Sequence, residues 1–63
     1  MVFEDVKLIE HIDEDGQLYY EYVAVSSEGH ELESWTNYEN TEEEQAIEFF
    51  MNKGLIPNPE LLL

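Results

Sequence analysis

From Val2 to Ile12 the chain alternates. Val6, Leu8 and Ile12 fall on one face, with Glu10 interrupting it, and Lys7, Ile9 and His11 fall on the other. A two-residue period is that of a β-strand. Asp13-Glu14-Asp15-Gly16 ends it with a turn, since glycine takes positive φ at no steric cost. Leu18 to Val25 resumes the alternation with β-branched and aromatic residues. Leu18, Tyr20, Tyr22 and Ala24 point one way, and Tyr19, Glu21, Val23 and Val25 the other. Both faces carry apolar groups, so both are expected to be covered. With the turn before it, this strand completes a β-hairpin. Ser26-Ser27-Glu28-Gly29 is a second turn. Glu31 to Thr36 then reads as a third strand, with Glu31, Glu33 and Trp35 on one face and His30, Leu32, Ser34 and Thr36 on the other. Asn37 to Asn40 is a connector.

The period changes at Thr41-Glu42-Glu43-Glu44, which announces a helix. Thr41 is placed to cap it, with Glu44 at the reciprocal position of a capping box. The glutamates of the first turn suit the positive end of the helix dipole. Ala46, Ile47, Phe50 and Met51 share one helical face, which is expected to pack on the sheet. Lys53 sits in the last turn, Gly54 fits the position just past the helix end, and Leu55 is placed for the hydrophobic contact that follows. The prolines at 57 and 59 prevent the helix from continuing. The leucines at 61 to 63 are costly to leave in water, and they either return to the core or reach a neighbouring subunit.

The expected fold is therefore α+β: a three-stranded antiparallel β-sheet followed by one C-terminal α-helix, in a single domain over residues 1–63. At 63 residues the chain is near the lower limit for folding alone. It has no cysteine, hence no disulfide staple and no thiolate metal site. Small scaffolds without staples often gain stability by oligomerising, so a homodimer is expected. With hydrophobic residues at 43% and one tryptophan, four tyrosines and three phenylalanines, the composition is too apolar and too aromatic for a disordered acidic tail. No targeting segment is visible and Leu61-Leu62-Leu63 is too short to span a bilayer, so the expected location is the cytoplasm, with no membrane partner.

Charge changes the picture most. Sixteen carboxylates face two lysines and no arginine, for a formal net charge of -14. Self-repulsion of that size disfavours the compact state, and a strongly positive partner surface would offset it. The commonest surfaces of that kind are those that hold nucleic acid. The chain itself has no basic patch to neutralise phosphates, so direct nucleic-acid binding is not expected. Same-face residues on a strand lie about 6.6 Å apart, so Glu31 and Glu33 read as a regular row of negative charge. Glu42, Glu43, Glu44 and Glu48 add a second row. The two readings of this pattern are a merely solvated surface and an imitation of a nucleic-acid backbone. Trp35, on a face shared with two glutamates, fits an exposed interface anchor.

Other chemistry fares less well. Asp13-x-Asp15-Gly16 has part of a calcium-loop pattern, but with Gly16 at position 6 the first position is His11 and the twelfth is Tyr22. His11 and His30 belong to no ligand spacing. Acid-base work by Glu31 and Glu33 needs a cleft that separates their pKa values, and no nucleophile motif is present. The expectation is a protein that is not an enzyme and uses no cofactor and no metal.

Asp13-Glu14-Asp15-Gly16-Gln17-Leu18-Tyr19-Tyr20-Glu21-Tyr22 resembles the second-strand hairpin of the small dimeric uracil-DNA glycosylase inhibitors of podovirus-type Bacillus phages. Tyr38-Glu39-Asn40-Thr41 is similar to that family's Tyr-x-Asn-Thr step into its helix. The resemblance implies a homodimer that imitates DNA, blocks the glycosylase's DNA-binding face and hides the enzyme's apolar minor-groove wedge in a hydrophobic recess ringed by carboxylates. The target enzyme flips its nucleotide out of the duplex. Carried over residue by residue, Tyr38 matches the family's tyrosine and Glu21 its strand glutamate. The family's phenylalanine-glutamate pair has no unique match, because the connecting region is longer here. Leu32-Glu33 keeps the apolar-acidic order, and Trp35 keeps the aromatic character. Glu31-Leu32-Glu33-Ser34-Trp35 is also similar to the Glu-Ser-aliphatic edge segment of the monomeric phage inhibitor of the same enzyme. The implied partner-binding set is Glu21, Glu31, Leu32, Glu33, Ser34, Trp35, Tyr38, Glu42 and Glu43. The alternatives are an acidic mimic against another DNA-binding host defence protein, such as a restriction or CRISPR effector, and a non-catalytic structural dimerisation module.

Overall fold

The computed structural model describes residues 1–39 and 41–62. Its elements run β1 (Val2–Phe3), β2 (Asp5–Ile12), β3 (Leu18–Val25), β4 (Glu31–Asn37), α1 (Glu43–Asn52), β5 (Ile56–Pro57) and a 3₁₀ turn (Pro59–Leu62). Strands β2, β3 and β4 form a three-stranded antiparallel sheet in that order, with β3 in the centre. The fold is α+β, as the hydrophobic pattern predicts.

Turn chemistry sets the register. Asp13 Oδ1 accepts the amides of Asp15 at 2.9 Å and Gln17 at 2.8 Å, and the amide of Gly16 donates to the Asp13 carbonyl at 3.0 Å. Gly16 has φ 80° there, a region open to glycine. The β2–β3 pairing that results runs unbroken from Asp5↔Val25 to Ile12↔Leu18. It puts Val6, Leu8, Glu10 and Ile12 on the same side as Ala24, Tyr22, Tyr20 and Leu18.

That side receives α1. Phe3, Tyr22, Ala24, Ala46, Ile47 and Phe50 form the buried cluster, and Val6, Tyr20, Leu32, Trp35, Phe49, Leu55 and Leu61 pack around it. Phe3 and Phe50 meet edge to face at 5.7 Å. Each such side chain contributes about 1.5–3 kcal/mol by leaving water. Met51, expected on the packed face, is instead exposed. The helix is short and covers one end of the sheet, so the far end of the same face stays open. Leu8, Ile12 and Leu18 are 51%, 71% and 39% exposed there.

Three local features depart from the sequence-based expectation. The first strand is split at Glu4, whose amide donates to the Val25 carbonyl at 2.7 Å. Beyond it, β1 leaves the main sheet and pairs in parallel with β5, Val2 with Ile56 and Phe3 with Pro57. The amides of Ile56 and Asn58 donate to the Met1 and Phe3 carbonyls, each at 2.9 Å, and Pro57 falls between them, where no donor is needed. The tail thus returns to the core through β5 and Leu61. Leu63 lies outside the described residues.

The capping box does not form. Glu42 occupies the N-cap without a side-chain bond, and Thr41 Oγ1 is buried with no partner. The Thr41 carbonyl is held by the Tyr22 hydroxyl, which donates to it at 2.6 Å. That anchor fixes the entry to the helix from the sheet side. The C-terminal end follows the expectation: the Leu55 amide donates to the Phe50 carbonyl at 3.1 Å and the Gly54 amide to Met51 at 3.0 Å, with Gly54 at φ 93°.

Finally, the register shifts between Ala24 and Val25, which face Glu33 and Glu31. Leu32 is the extra residue. This bulge breaks the two-residue alternation of β4, so Glu31 and Glu33 are not the evenly spaced row that a regular strand would give. Among the described residues no helix is long and apolar enough to cross a membrane.

Candidate functional site

The face of the sheet away from α1 carries Tyr19, Glu21, Val23 and Val25 on its central strand. Val23 pairs with Lys7 and Ser34, and Glu21 with Ile9 and Thr36. Beside the bulge, at the β4 edge of the sheet, lies a shallow recess of about 220 Å³ lined by Glu21, Val23, Glu31, Leu32, Glu33 and Ser34; Glu33 pairs with Ala24 and so starts from the helix side. Val23, only 2% exposed, and half-buried Leu32, which also packs on the core cluster, leave it little apolar surface, so its lining is mainly polar. Three carboxylates surround them. Glu33 Oε1 accepts the Ser34 amide at 3.3 Å, which folds that side chain back along its own strand. Glu21 Oε1 lies 2.9 Å from His11 Nε2, within hydrogen-bond distance. Among the described residues Glu31 and Glu33 have no cationic partner.

Five of the nine residues expected at a site therefore come together: Glu21, Glu31, Leu32, Glu33 and Ser34. The bulge is what gathers them, since it places two glutamates and a leucine opposite two residues of β3. Val23 was not among the expected site residues. Its signal was present in the alternation, which sets it on the same face as Glu21.

The other four lie elsewhere. Trp35 pairs with Tyr22 on the helix side of the sheet. Its ring stacks on Phe49 at 5.1 Å and 12°, and lies 5.7 Å from Tyr22. The predicted exposed anchor is thus a half-buried part of the core margin, because the two-residue period that sends Val23 to the recess sends Trp35 the opposite way. Glu42 caps α1 and Glu43 opens it. Tyr38 lies beyond the end of β4, near the first hairpin turn, and its hydroxyl donates to Asp13 Oδ2 at 3.2 Å. That bond and the nearby negative charge raise the Tyr38 hydroxyl above the ordinary tyrosine pKa. Tyr38 continues a line of rings: Tyr19 lies 5.3 Å from it and His11 stacks on Tyr19 at 5.0 Å. Asn40, part of the Tyr-x-Asn-Thr step, is outside the described residues.

The chain matches no family model, no curated protein and no solved structure.

Chemically, the recess presents carboxylates to cations, with only a small apolar patch at its base. Among the described residues no three histidine or carboxylate side chains gather as a metal site.

Proposed function

We propose that this chain is a protein inhibitor of uracil-DNA glycosylase acting by DNA mimicry. It occupies the enzyme's DNA-binding face and takes up the apolar wedge that the enzyme inserts into the minor groove. The observation that carries this reading is the grouping of Glu21, Glu31 and Glu33 at one recess beside Val23 and Leu32. In a molecule of net charge -14, such a group of carboxylates attracts a phosphate-binding surface, and half-buried Leu32 beside it offers a contact for a protruding aliphatic side chain. Charge steers the encounter and burial sets the lifetime of the complex. The inhibitor catalyses nothing and needs no cofactor. It acts in the cytoplasm of the host cell as a homodimer, in which a second copy covers the open strip of Leu8, Ile12 and Leu18. The test is uracil excision by purified enzyme with increasing amounts of this protein. Inhibition saturates at a fixed molar ratio if the reading holds, and excision continues undisturbed in large excess of the protein if it does not.

A second target class uses the same recess: another DNA-binding host defence protein, such as a restriction or CRISPR effector. Capture of such a nuclease instead of a glycosylase from bacterial lysate distinguishes it. The exposed strip of Leu8, Ile12 and Leu18 favours a third reading, a structural dimerisation module with no basic partner.

A further inference from the structure

On the opposite side of the molecule from the recess, α1 and the 3₁₀ turn enclose a groove of about 520 Å³ lined by Glu43, Glu44, Ile47, Glu48, Met51, Leu61 and Leu62. Glu44, Ile47, Glu48 and Met51 follow the i, i+3, i+4, i+7 spacing of a single helical stripe. Along its floor run Ile47, Met51, Leu61 and Leu62, with Met51 46% and Leu62 61% exposed. Three glutamates stand on its rim. Neither lysine reaches them. Lys53 Nζ lies 5.4 Å from the centre of the Phe49 ring, and Lys7 pairs with Val23 on the far face of the sheet. The rim charge is therefore uncompensated among the described residues, and large apolar side chains beneath it remain in contact with water.

We propose that this groove is a second docking site, for a basic amphipathic segment of a partner protein. One or two aliphatic side chains of the segment enter between α1 and the 3₁₀ turn, and its lysines or arginines meet Glu43, Glu44 and Glu48. Charge complementarity selects this occupant. A second copy of the chain would bring its own acidic surface against the three glutamates, and like charges brought together at an interface cost affinity. The mode is the helix-in-groove one, in which apolar anchors repeat at i, i+3, i+4 and i+7. The site is separate from the recess of β3 and β4, so its occupancy does not depend on the glycosylase reading.

The probe is a synthetic peptide of about twelve residues with leucines at that spacing and lysines elsewhere. Its counterpart carries glutamate in place of every lysine. In NMR titrations of the full chain, the lysine peptide shifts the methyl signals of Ile47, Met51, Leu61 and Leu62, and the glutamate peptide leaves them in place. Met51→Ser with Leu62→Ser keeps the net charge and weakens binding about tenfold or more, about 1.4 kcal/mol, because the exposed parts of two apolar side chains no longer leave water on binding. Both positions are exposed, and an unchanged circular dichroism spectrum verifies the fold. Glu44→Gln with Glu48→Gln reduces affinity and flattens its salt dependence. The proposal is overturned if the shifts map to the Leu8, Ile12 and Leu18 strip or to the recess. It is equally overturned if the double serine variant binds the lysine peptide unchanged, or if sedimentation without peptide shows a dimer that this variant dissociates.

Discussion

Tyr22 is the residue through which sheet and helix are joined. Its ring belongs to the buried cluster, and its hydroxyl reaches the Thr41 carbonyl just before α1. Tyr22→Phe keeps the packing and removes one hydrogen bond, so a loss of about 1 kcal/mol is expected. Urea unfolding of the two proteins measures it. Tyr38 makes a different kind of bond, to a charged acceptor at the surface. Its hydroxyl stays protonated above the ordinary tyrosine pKa of 10.0 because the proton is shared with Asp13. A raised folded-state pKa means that the stabilisation is fully present below the unfolded tyrosine's pKa. It is lost as pH rises through the higher folded value, on the alkaline side of 10.0. Asp13→Asn retains an oxygen for the turn amides and removes the charge. Ultraviolet titration of this variant is expected to show Tyr38 ionising at lower pH than in the parent chain. An unchanged midpoint would mean that the Asp13 carboxylate is not the cause.

Among the elements, α1 ends where its sequence signals place the stop but starts one residue later than its capping pattern implies. A threonine three residues before a glutamate satisfies the capping-box pattern in sequence. In the structure Thr41 lies against the sheet, so its hydroxyl is buried and bonds to nothing. Thr41→Val keeps the shape and removes an unsatisfied polar group, and is expected to stabilise the fold by up to about 1 kcal/mol. Loss of a true cap would destabilise it by a similar amount, so the sign of the change in thermal midpoint decides. The β4 bulge is a second element-level feature that alternation hides. Reading β4 as regular puts Glu31 beside Glu33 and makes Trp35 their exposed companion. One extra residue at Leu32 takes Glu31 out of line with Glu33, while Trp35, paired with Tyr22 on the helix side, packs on Phe49.

For the whole molecule, charge opposes the fold. A net charge of -14 on 63 residues repels itself, and among the described residues neither lysine forms a salt bridge that offsets it. Salt screens such repulsion within about 10 Å at 0.1 M and about 3 Å at 1 M. The thermal midpoint is therefore expected to rise with sodium chloride, where a protein held together by ion pairs would show the reverse. The same charge shapes recognition. In complexes with a glycosylase, Glu33→Lys is expected to slow association and weaken its salt dependence. Leu32→Ser is expected to leave the association rate nearly unchanged and to shorten the lifetime of the complex about tenfold, from the lost burial of one aliphatic side chain. Surface plasmon resonance at two salt concentrations separates the two effects. Equal on-rates for Glu33→Lys and the parent chain would falsify the mimicry.

The local signals in the sequence were sufficient for the strands, the turns and the helix stop, because each depends on neighbours a few residues apart: alternation for β2 and β3, Gly16 and Gly29 in their turns, Gly54 past α1. Contacts between distant segments were not legible in this way. The pairing of β1 with β5, the capture of Thr41 by Tyr22 and the gathering of Glu21, Val23 and Leu32 into one recess all join residues far apart in the chain. No local period encodes such contacts. They are decided by which side of the sheet the helix covers, since burial there fixes the side on which every later side chain must lie.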